Sequence, residues 1–178
     1  MASERTARAL RQALVVVLTF IVAGVVCGWL WHQVWAPAPE GFVYQHVPRF
    51  EDDEVIRSTG LYFLIAAAAG LLLGLVLTWW FEADEVITLA AVVLGALVAG
   101  WVMIGMGAWL GPESMEKVAA GAEDWTELKA SMEVAGAAPW VAFPGGALAG
   151  AFVILVCFRS RAEAAARARV NAFDESAP

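Results

Sequence analysis

The sequence predicts an all-α integral membrane protein, a bundle of four transmembrane helices with a short amphipathic helix in its second outer loop. Apolar residues make up 61% of the chain and charged residues only 16%, whereas soluble domains are about half apolar and about a quarter charged. Mean hydropathy is +0.68. Four stretches without Asp, Glu, Lys or Arg each exceed the length of about 20 residues that a helix needs to cross a bilayer.

The first predicted span covers residues 13–35 and is expected to stay in the mature protein. Arg5, Arg8 and Arg11 precede it, as basic residues precede the apolar run of a signal peptide. The run here is longer than that of a signal peptide, and it ends in aromatic residues at 29–35 instead of a small-residue cleavage site. A retained transmembrane helix therefore explains the segment better than a cleaved leader does.

Three further spans follow, and residues 1–178 are expected to form one membrane domain. Residues 61–77 show almost no polar face, whereas the buried helices of soluble proteins usually keep one. We therefore expect lipid around these segments. The three spans are predicted over residues 60–80, 86–110 and 139–158. They leave outer loops at residues 36–59 and 111–138 and a cytoplasmic tail at residues 159–178.

Lys and Arg predict the orientation, because short flanking segments rich in these residues stay on the cytoplasmic side. Arg residues are concentrated before residue 12 and after residue 158. Each long loop contains only two basic residues, Arg49 and Arg57 in the first and Lys117 and Lys129 in the second. Both chain ends are therefore expected in the cytoplasm. Arg is preferred over Lys, and Ala, Gly and Val are abundant, which suggests a bacterial genome of high GC content. The composition therefore favours a bacterial plasma membrane.

Small residues recur four positions apart in every span. Lipid removes the hydrophobic drive for helices to associate, so close backbone contact across such residues holds a membrane bundle together. We expect these ridges to pack the four helices against each other, and docking of a partner or a second copy is the alternative that the sequence leaves open. The predicted packing positions are Gly24, Gly28, Gly70, Gly74, Gly100, Gly146 and Gly150.

The second outer loop predicts an amphipathic helix that begins near Pro112 and breaks or bends near Gly121. Apolar residues recur there at intervals of three and four, opposite several glutamates. An acidic face does not suit anionic lipid, so the helix is expected to cap the bundle or to contact a protein. The residues of this candidate partner surface are Met115, Val118, Trp125 and Leu128.

The first outer loop holds four consecutive carboxylates, Glu51, Asp52, Asp53 and Glu54. Clustered carboxylates can bind a divalent cation, but Ca²⁺ loops arrange their ligands around a turn-forming glycine. The four acidic residues are not arranged around such a glycine. We therefore expect a solvated acidic loop, with a cation site as the alternative.

Catalytic and cofactor motifs are absent from the sequence. It has no HExxH, GxSxG or Walker-type loop, and Cys27 and Cys157 fall in different spans. At about 1.5 Å rise per residue, the depths of the two cysteines differ by roughly 15–20 Å, so both are expected to be free, buried and structural. The net charge of −7 and the lack of a basic stripe exclude nucleic-acid binding. We therefore predict no enzyme, no cofactor and no metal.

Two features of the predicted spans bear on transport. No charged residue lies within the predicted spans, although pumps and transporters normally keep one there. Pro139, Pro144 and the Gly145-Gly146 pair make the start of the fourth span irregular, and broken helices line cavities in some transporters. A proline near a helix entrance more often occupies the first turn, where its missing N–H costs nothing.

Aromatic and Gly/Pro positions give the chain a family resemblance. The segments that carry it lie at residues 31–35, 36–41, 59–62 and 110–112, with the sequences WHQVW, APAPEG, TGLY and LGP. The chain resembles a group of small actinobacterial membrane proteins classed together as a domain of unknown function. The resemblance covers residues 10–160 and implies a four-span membrane protein, and it implies no functional residues.

The sequence has small residues that favour helix packing but no catalytic motif. This combination favours a non-enzymatic plasma-membrane protein, an accessory or scaffold subunit of an envelope complex. Its expected partners are membrane lipid and either another envelope membrane protein or a second copy of the chain. A small channel or transporter for a neutral or weakly polar solute is the alternative.

Overall fold

The computed structural model of the chain describes residues 2–50, 53–80 and 85–159. In chain order its elements are α1 (Ala2–Trp35), β1 (Glu40–Tyr44), β2 (Val47–Arg49), α2 (Glu54–Trp80), α3 (Glu85–Leu110), α4 (Met115–Gly121), β3 (Glu127–Lys129) and α5 (Ala138–Ile154). A π-helical turn, Leu155–Arg159, continues α5. Glu51 and Asp52 of the predicted acidic loop, and the tail from residue 160 onward, lie outside the described residues.

Four of these helices, α1, α2, α3 and α5, are long and apolar enough to cross a membrane. Large apolar side chains such as Leu14, Leu72 and Leu94 are exposed on their surfaces. Water-soluble monomers rarely expose contiguous apolar patches larger than roughly a few hundred Å², so lipid is the medium that these surfaces fit. The predicted fold class, an all-α membrane bundle of four helices, is confirmed.

The four long helices form two parallel pairs, α1 with α3 and α2 with α5. α1 and α3 both run toward the two long connecting segments, whereas α2 and α5 both run away from them. The most extensive helix contacts are those of α1 with α3 and of α2 with α5, although neither pair is adjacent in the chain. α2 and α3, which follow one another in the chain, share only a small contact. The bundle is therefore two parallel pairs side by side.

The seven predicted packing glycines all lie at close range to another element of the bundle. A Cβ added at Gly24 would lie 2.6 Å from the carbonyl oxygen of Ala99, and one added at Gly100 would lie 3.0 Å from that of Pro139. The glycines between α2 and α5 face backbone atoms of the opposite helix in the same way, and they are Gly70, Gly74, Gly146 and Gly150. These small residues are therefore used inside the bundle, where they let two backbones approach closely.

Fully buried aromatic side chains form the centre of the bundle. Trp31 packs edge to face against Tyr62 with ring centroids 5.5 Å apart, and Phe20 packs likewise against Phe143 at 6.2 Å. Such pairs contribute about 0.5–1.5 kcal/mol beyond their buried area. Since the rings come from α1, α2 and α5, they join the two parallel pairs.

Two interhelical hydrogen bonds use buried polar side chains. Gln12 Nε2 donates to Thr88 Oγ1 at 2.8 Å between α1 and α3. The Tyr62 hydroxyl donates to the carbonyl oxygen of Gly100 at 3.2 Å between α2 and α3. Hydrogen bonds of this kind contribute about 0.6 kcal/mol on average in membrane proteins.

The two cysteines are both free. Cys27 is buried, as expected, but Cys157 is exposed. The expectation of burial was wrong for Cys157 because this residue lies in the π-helical turn, beyond the last buried residue of α5, Ala151.

Candidate functional site

The two long connecting segments fold together into a small domain at one end of the bundle, which we call the cap and define as residues 36–50 and 111–137. Its centre is a three-stranded antiparallel sheet in the order β2, β1, β3. β1 and β2 come from the first segment, and β3 comes from the second. The cap therefore ties the α1–α2 connection to the α3–α5 connection.

The β1–β2 hairpin was not predicted from the sequence. Its two turn residues, Gln45 and His46, have φ values of 55° and 60°. Two-residue hairpin turns with positive φ at both positions strongly favour Asn and Gly, so this turn lacks the usual pattern. The aromatic and β-branched residues Phe42, Val43 and Tyr44 are the feature that would have indicated a strand.

The predicted amphipathic helix is only partly correct. α4 ends at Gly121, where the sequence predicts a break, but residues 127–129 form a strand instead of resuming a helix. The reason is pairing with β1: Trp125 N donates to the carbonyl oxygen of Val43 at 2.7 Å, and Val43 N donates to that of Thr126 at 3.0 Å. Backbone pairing with a distant segment therefore overrides the helical spacing of the apolar residues.

The cap has its own hydrophobic core. It consists of the buried residues Val43, Met115, Ala119 and Leu128. Met115 and Leu128, expected on the partner surface, thus face inward and are not available to a partner. The spacing suggested one exposed face, whereas these two side chains pack in one buried cluster with Val43 of β1. Val118 and Trp125 of the same predicted set are exposed.

Three aromatic side chains form an exposed cluster on the cap, the aromatic patch: Phe42, Tyr44 and Trp125. The Phe42 and Trp125 rings are stacked at 5.2 Å with an interplanar angle of 17°, and Tyr44 meets Trp125 edge to face at 5.6 Å. Trp125 is nevertheless 68% exposed. Strand pairing therefore presents a large apolar surface toward the surroundings of the cap.

The backbone at Trp125 is strained. Its φ of 72° lies in the left-handed region, which costs about 1–3 kcal/mol for a residue with a bulky side chain. The flanking Asp124 side chain stabilises this conformation, because its Oδ1 accepts a hydrogen bond from Gln45 N at 2.8 Å. Strain of this kind persists only where the surrounding structure fixes it.

A second feature of the cap is a cavity of about 370 Å³ next to the first turn of α2, which we call the acidic cavity. Its walls contain four carboxylate residues and one basic residue, so the wall carries an excess of negative charge. The lining residues are Pro48, Arg49, Phe50, Asp53, Glu54, Val55, Met115, Glu116 and Glu133.

Glu54 is the unusual member of this cavity. The sequence suggested a solvated acidic loop, whereas Glu54 is the first residue of α2 and is only 7% exposed. Its Oε2 is buried and makes no hydrogen bond. This oxygen forms an ion pair with Arg57 Nη1 at 3.8 Å, and the Arg57 guanidinium also lies over the Trp35 ring, 5.5 Å from its centroid.

Glu133 reaches the cavity from the segment that follows β3. The Ser131 hydroxyl donates to Glu133 Oε1 at 2.6 Å and fixes this carboxylate. The Ser131 oxygen in turn accepts a hydrogen bond from Met115 N at 3.4 Å. No group of three or more His, Cys, Asp or Glu side chains that could hold a metal ion occurs among residues 2–50, 53–80 and 85–159.

The fold and the cap together define a class: a four-helix membrane bundle with a folded cap that carries an aromatic patch and an acidic cavity. No protein-family model, curated protein or solved structure matches the chain.

Proposed function

We propose that the protein is a non-enzymatic accessory or scaffold subunit of the bacterial plasma membrane, whose cap lies on the outer side and binds another envelope membrane protein. The observation that carries this proposal is the aromatic patch, in which Trp125 is held 68% exposed on a strained backbone. Aromatic residues are enriched among the residues that dominate protein interfaces.

The internal use of the small residues supports the cap as the contact region. All seven predicted packing glycines lie close to another helix of the same chain, so they do not leave a free small-residue ridge for a second protein. The three rings of the aromatic patch, in contrast, contact one another. A partner that covered it would bury the faces of three rings.

The charge around the patch defines the kind of partner. Asp124 is directly next to Trp125, and Glu127 pairs in register with Phe42. An acidic surround favours a partner whose contact surface is apolar at the centre and basic at the rim, since complementary charge speeds association and excludes wrong partners.

Affinity purification in mild detergent tests the proposal. Tagged wild-type protein, Trp125→Ala and Trp109→Ala are compared by quantitative mass spectrometry; Trp109 is 77% exposed but lies outside the patch. We expect one membrane protein to copurify stoichiometrically with the wild type and Trp109→Ala, and to fall at least tenfold with Trp125→Ala. Recovery of monomer alone, or equal recovery with both variants, contradicts the proposal. Two differently tagged copies identify a second copy of the chain as the partner.

The proposed orientation has its own test. In a variant with Cys27 and Cys157 replaced by Ala, a membrane-impermeant maleimide should label His46→Cys in intact cells. Ala83→Cys, in the connection between α2 and α3, should react only after permeabilisation. The opposite labelling pattern would place the cap in the cytoplasm and overturn this part of the proposal.

A channel or transporter is the weaker alternative. Pro144 lies inside α5, where it removes one backbone hydrogen bond. However, Pro144 is buried, and its neighbour Phe143 packs against Phe20. Solute uptake into reconstituted vesicles that is abolished by Pro144→Leu would favour transport over the subunit role.

A further inference from the structure

We propose that the bundle consists of two copies of one helical hairpin joined in tandem, and that each hairpin binds the other as a second copy of itself. The first hairpin is α1 with α2, the second is α3 with α5, and a two-fold axis parallel to the helices relates them. This inference goes beyond the proposed function and does not depend on it, because it concerns the membrane helices and not the cap.

The sequence contains a repeat at an offset of 76 positions. Residues 16–26 of α1 read VVLTFIVAGVV and residues 92–102 of α3 read VVLGALVAGWV, which are identical at seven of eleven positions. Apolar composition alone produces some matches between membrane helices, so the contacts in the structure must show whether the offset has a physical meaning. The same offset aligns α2 with α5, where four pairs are identical: Ala66 with Ala142, Gly70 with Gly146, Leu72 with Leu148 and Gly74 with Gly150.

α1 and α3 face each other at this same offset. Gln12 Nε2 donates to Thr88 Oγ1, 76 positions further along the chain. A Cβ added at Gly24 would lie 2.6 Å from the carbonyl oxygen of Ala99, 75 positions further along. A residue of α1 therefore lies beside its own counterpart in α3 or beside the neighbour of that counterpart. Two copies of a helix meet in this way when a two-fold axis runs between them, parallel to both.

The contacts between α2 and α5 are reciprocal. A Cβ added at Gly70 would overlap the carbonyl oxygen of Phe143. The counterparts of these two residues are Gly146 and Ala67, and a Cβ added at Gly146 would overlap the carbonyl oxygen of Ala67. A two-fold interface has this property, because residue i of one copy contacts residue j of the other and j contacts i. A further reciprocal set is Gly74 with the carbonyl oxygen of Ala147 and Gly150 with that of Leu71.

The connecting segments preserve the repeat length although they fold differently. α5 begins at Ala138, whose counterpart in α2 is Tyr62, whereas α2 has two more turns before that point, at residues 54–61. The segment before α5 is longer in compensation, with residues 111–137 against residues 36–53 before α2. The membrane helices thus stay in register, and the asymmetry of the chain is confined to the cap and to these two turns.

The interface between the hairpins is filled with side chains. Phe20 of the first hairpin packs against Phe143 of the second, and both are fully buried. Parallel repeats related by an axis along the membrane normal also occur in transporters, which place their substrate site at the repeat interface. In this chain the aromatic contact at that interface supports a closed bundle instead.

Distance measurements by pulsed electron paramagnetic resonance, on the full chain in lipid nanodiscs, test the two-fold axis. In a variant with Cys27 and Cys157 replaced by Ala, two spin labels at a time are attached to cysteines that replace exposed leucines. Counterparts are Leu18 with Leu94 and Leu72 with Leu148. The axis requires the distance between positions 18 and 148 to equal that between 94 and 72, and the distance between 18 and 72 to equal that between 94 and 148. A difference above one helix turn, about 5.4 Å, in either comparison would overturn the proposal.

Exchange of the two copies within the full chain tests their equivalence. In the double exchange, residues 12–27 trade places with residues 88–103, and residues 64–78 trade places with residues 140–154. The two-fold axis restores the contacts among these segments on the opposite side of the bundle, so Tm should stay close to that of the wild type. The matched control exchanges only residues 12–27 with residues 88–103, which separates Phe20 from Phe143 and should lower Tm. A double exchange no more stable than this control would overturn the proposal. The partner of the aromatic patch is tested separately, by the Trp125→Ala comparison.

Discussion

Two adjacent glycines of α5, Gly145 and Gly146, give a sharp test of the packing between α2 and α5. A Cβ added at Gly146 would overlap the carbonyl group of Ala67 on α2, whereas one added at Gly145 would have Val141 Cγ1 at 3.9 Å as its nearest neighbour, an ordinary contact. The two substitutions to Ala thus insert the same methyl group at neighbouring positions of one helix, one against backbone and one into space.

The expected magnitude follows from what must move. Backbone atoms of α2 cannot give way without a shift of the whole helix, so Gly146→Ala should destabilise the bundle by about 1–3 kcal/mol, the usual cost of overpacking a close-packed core. Gly145→Ala meets no such obstacle and replaces Gly by a better helix former, a change of about 1 kcal/mol in the stabilising direction in exposed helices. The two variants should therefore differ in sign.

Reversible unfolding in mixed micelles, with SDS as denaturant and circular dichroism as the readout, measures the free energy of unfolding of each variant. Gly24→Ala, whose added Cβ would lie 2.6 Å from the Ala99 carbonyl oxygen, extends the test to α1 and α3. Equal stability of Gly145→Ala and Gly146→Ala would refute the conclusion that small residues set the distance between the helices.

Three further predictions concern the cap and its junction with the bundle. Leu128→Ala removes a buried side chain from the cap core and should destabilise the cap by about 2–4 kcal/mol, measured as faster amide hydrogen exchange in β1 and β3, while exchange in α1 stays unchanged. Trp125→Gly relieves the positive φ, a gain of about 1–3 kcal/mol, but it also removes two ring contacts of about 0.5–1.5 kcal/mol each. Amide exchange in the cap should therefore change little even though partner recovery falls, and much faster exchange would show that the ring contacts outweigh the strain. Tyr62→Phe removes the hydrogen bond to Gly100 and should lower the free energy of unfolding by about 0.6 kcal/mol, and a loss above about 2 kcal/mol would indicate a larger role for the hydroxyl.

The four membrane helices could be predicted from the sequence because their cause is local. A helix satisfies its own backbone hydrogen bonds, and an uncharged apolar run in lipid has few alternatives. The spacing of Gly146 and Gly150 is local in the same sense, so the positions of close approach could be predicted as well. The partners of these glycines could not, because the parallel pairing of α2 with α5 depends on contacts between distant parts of the chain.

The cap could not be predicted because its causes are long-range. The register of Phe42 with Glu127 is set by pairing between the two connecting segments, and single-segment periodicity contains no information about it. The acidic run illustrates the same limit. A count of charges suggests a solvated loop, but Glu54 becomes buried because α2 begins at this residue and because Met115 and Glu133, from the other segment, complete the cavity wall.

The position of the acidic cavity links it to the bundle mechanically. Glu54 belongs to the first turn of α2, which packs mainly on α5, whereas Glu133 follows β3 in the segment that connects α3 to α5. The wall of the cavity therefore lies at the point where the cap connects the two parallel helix pairs.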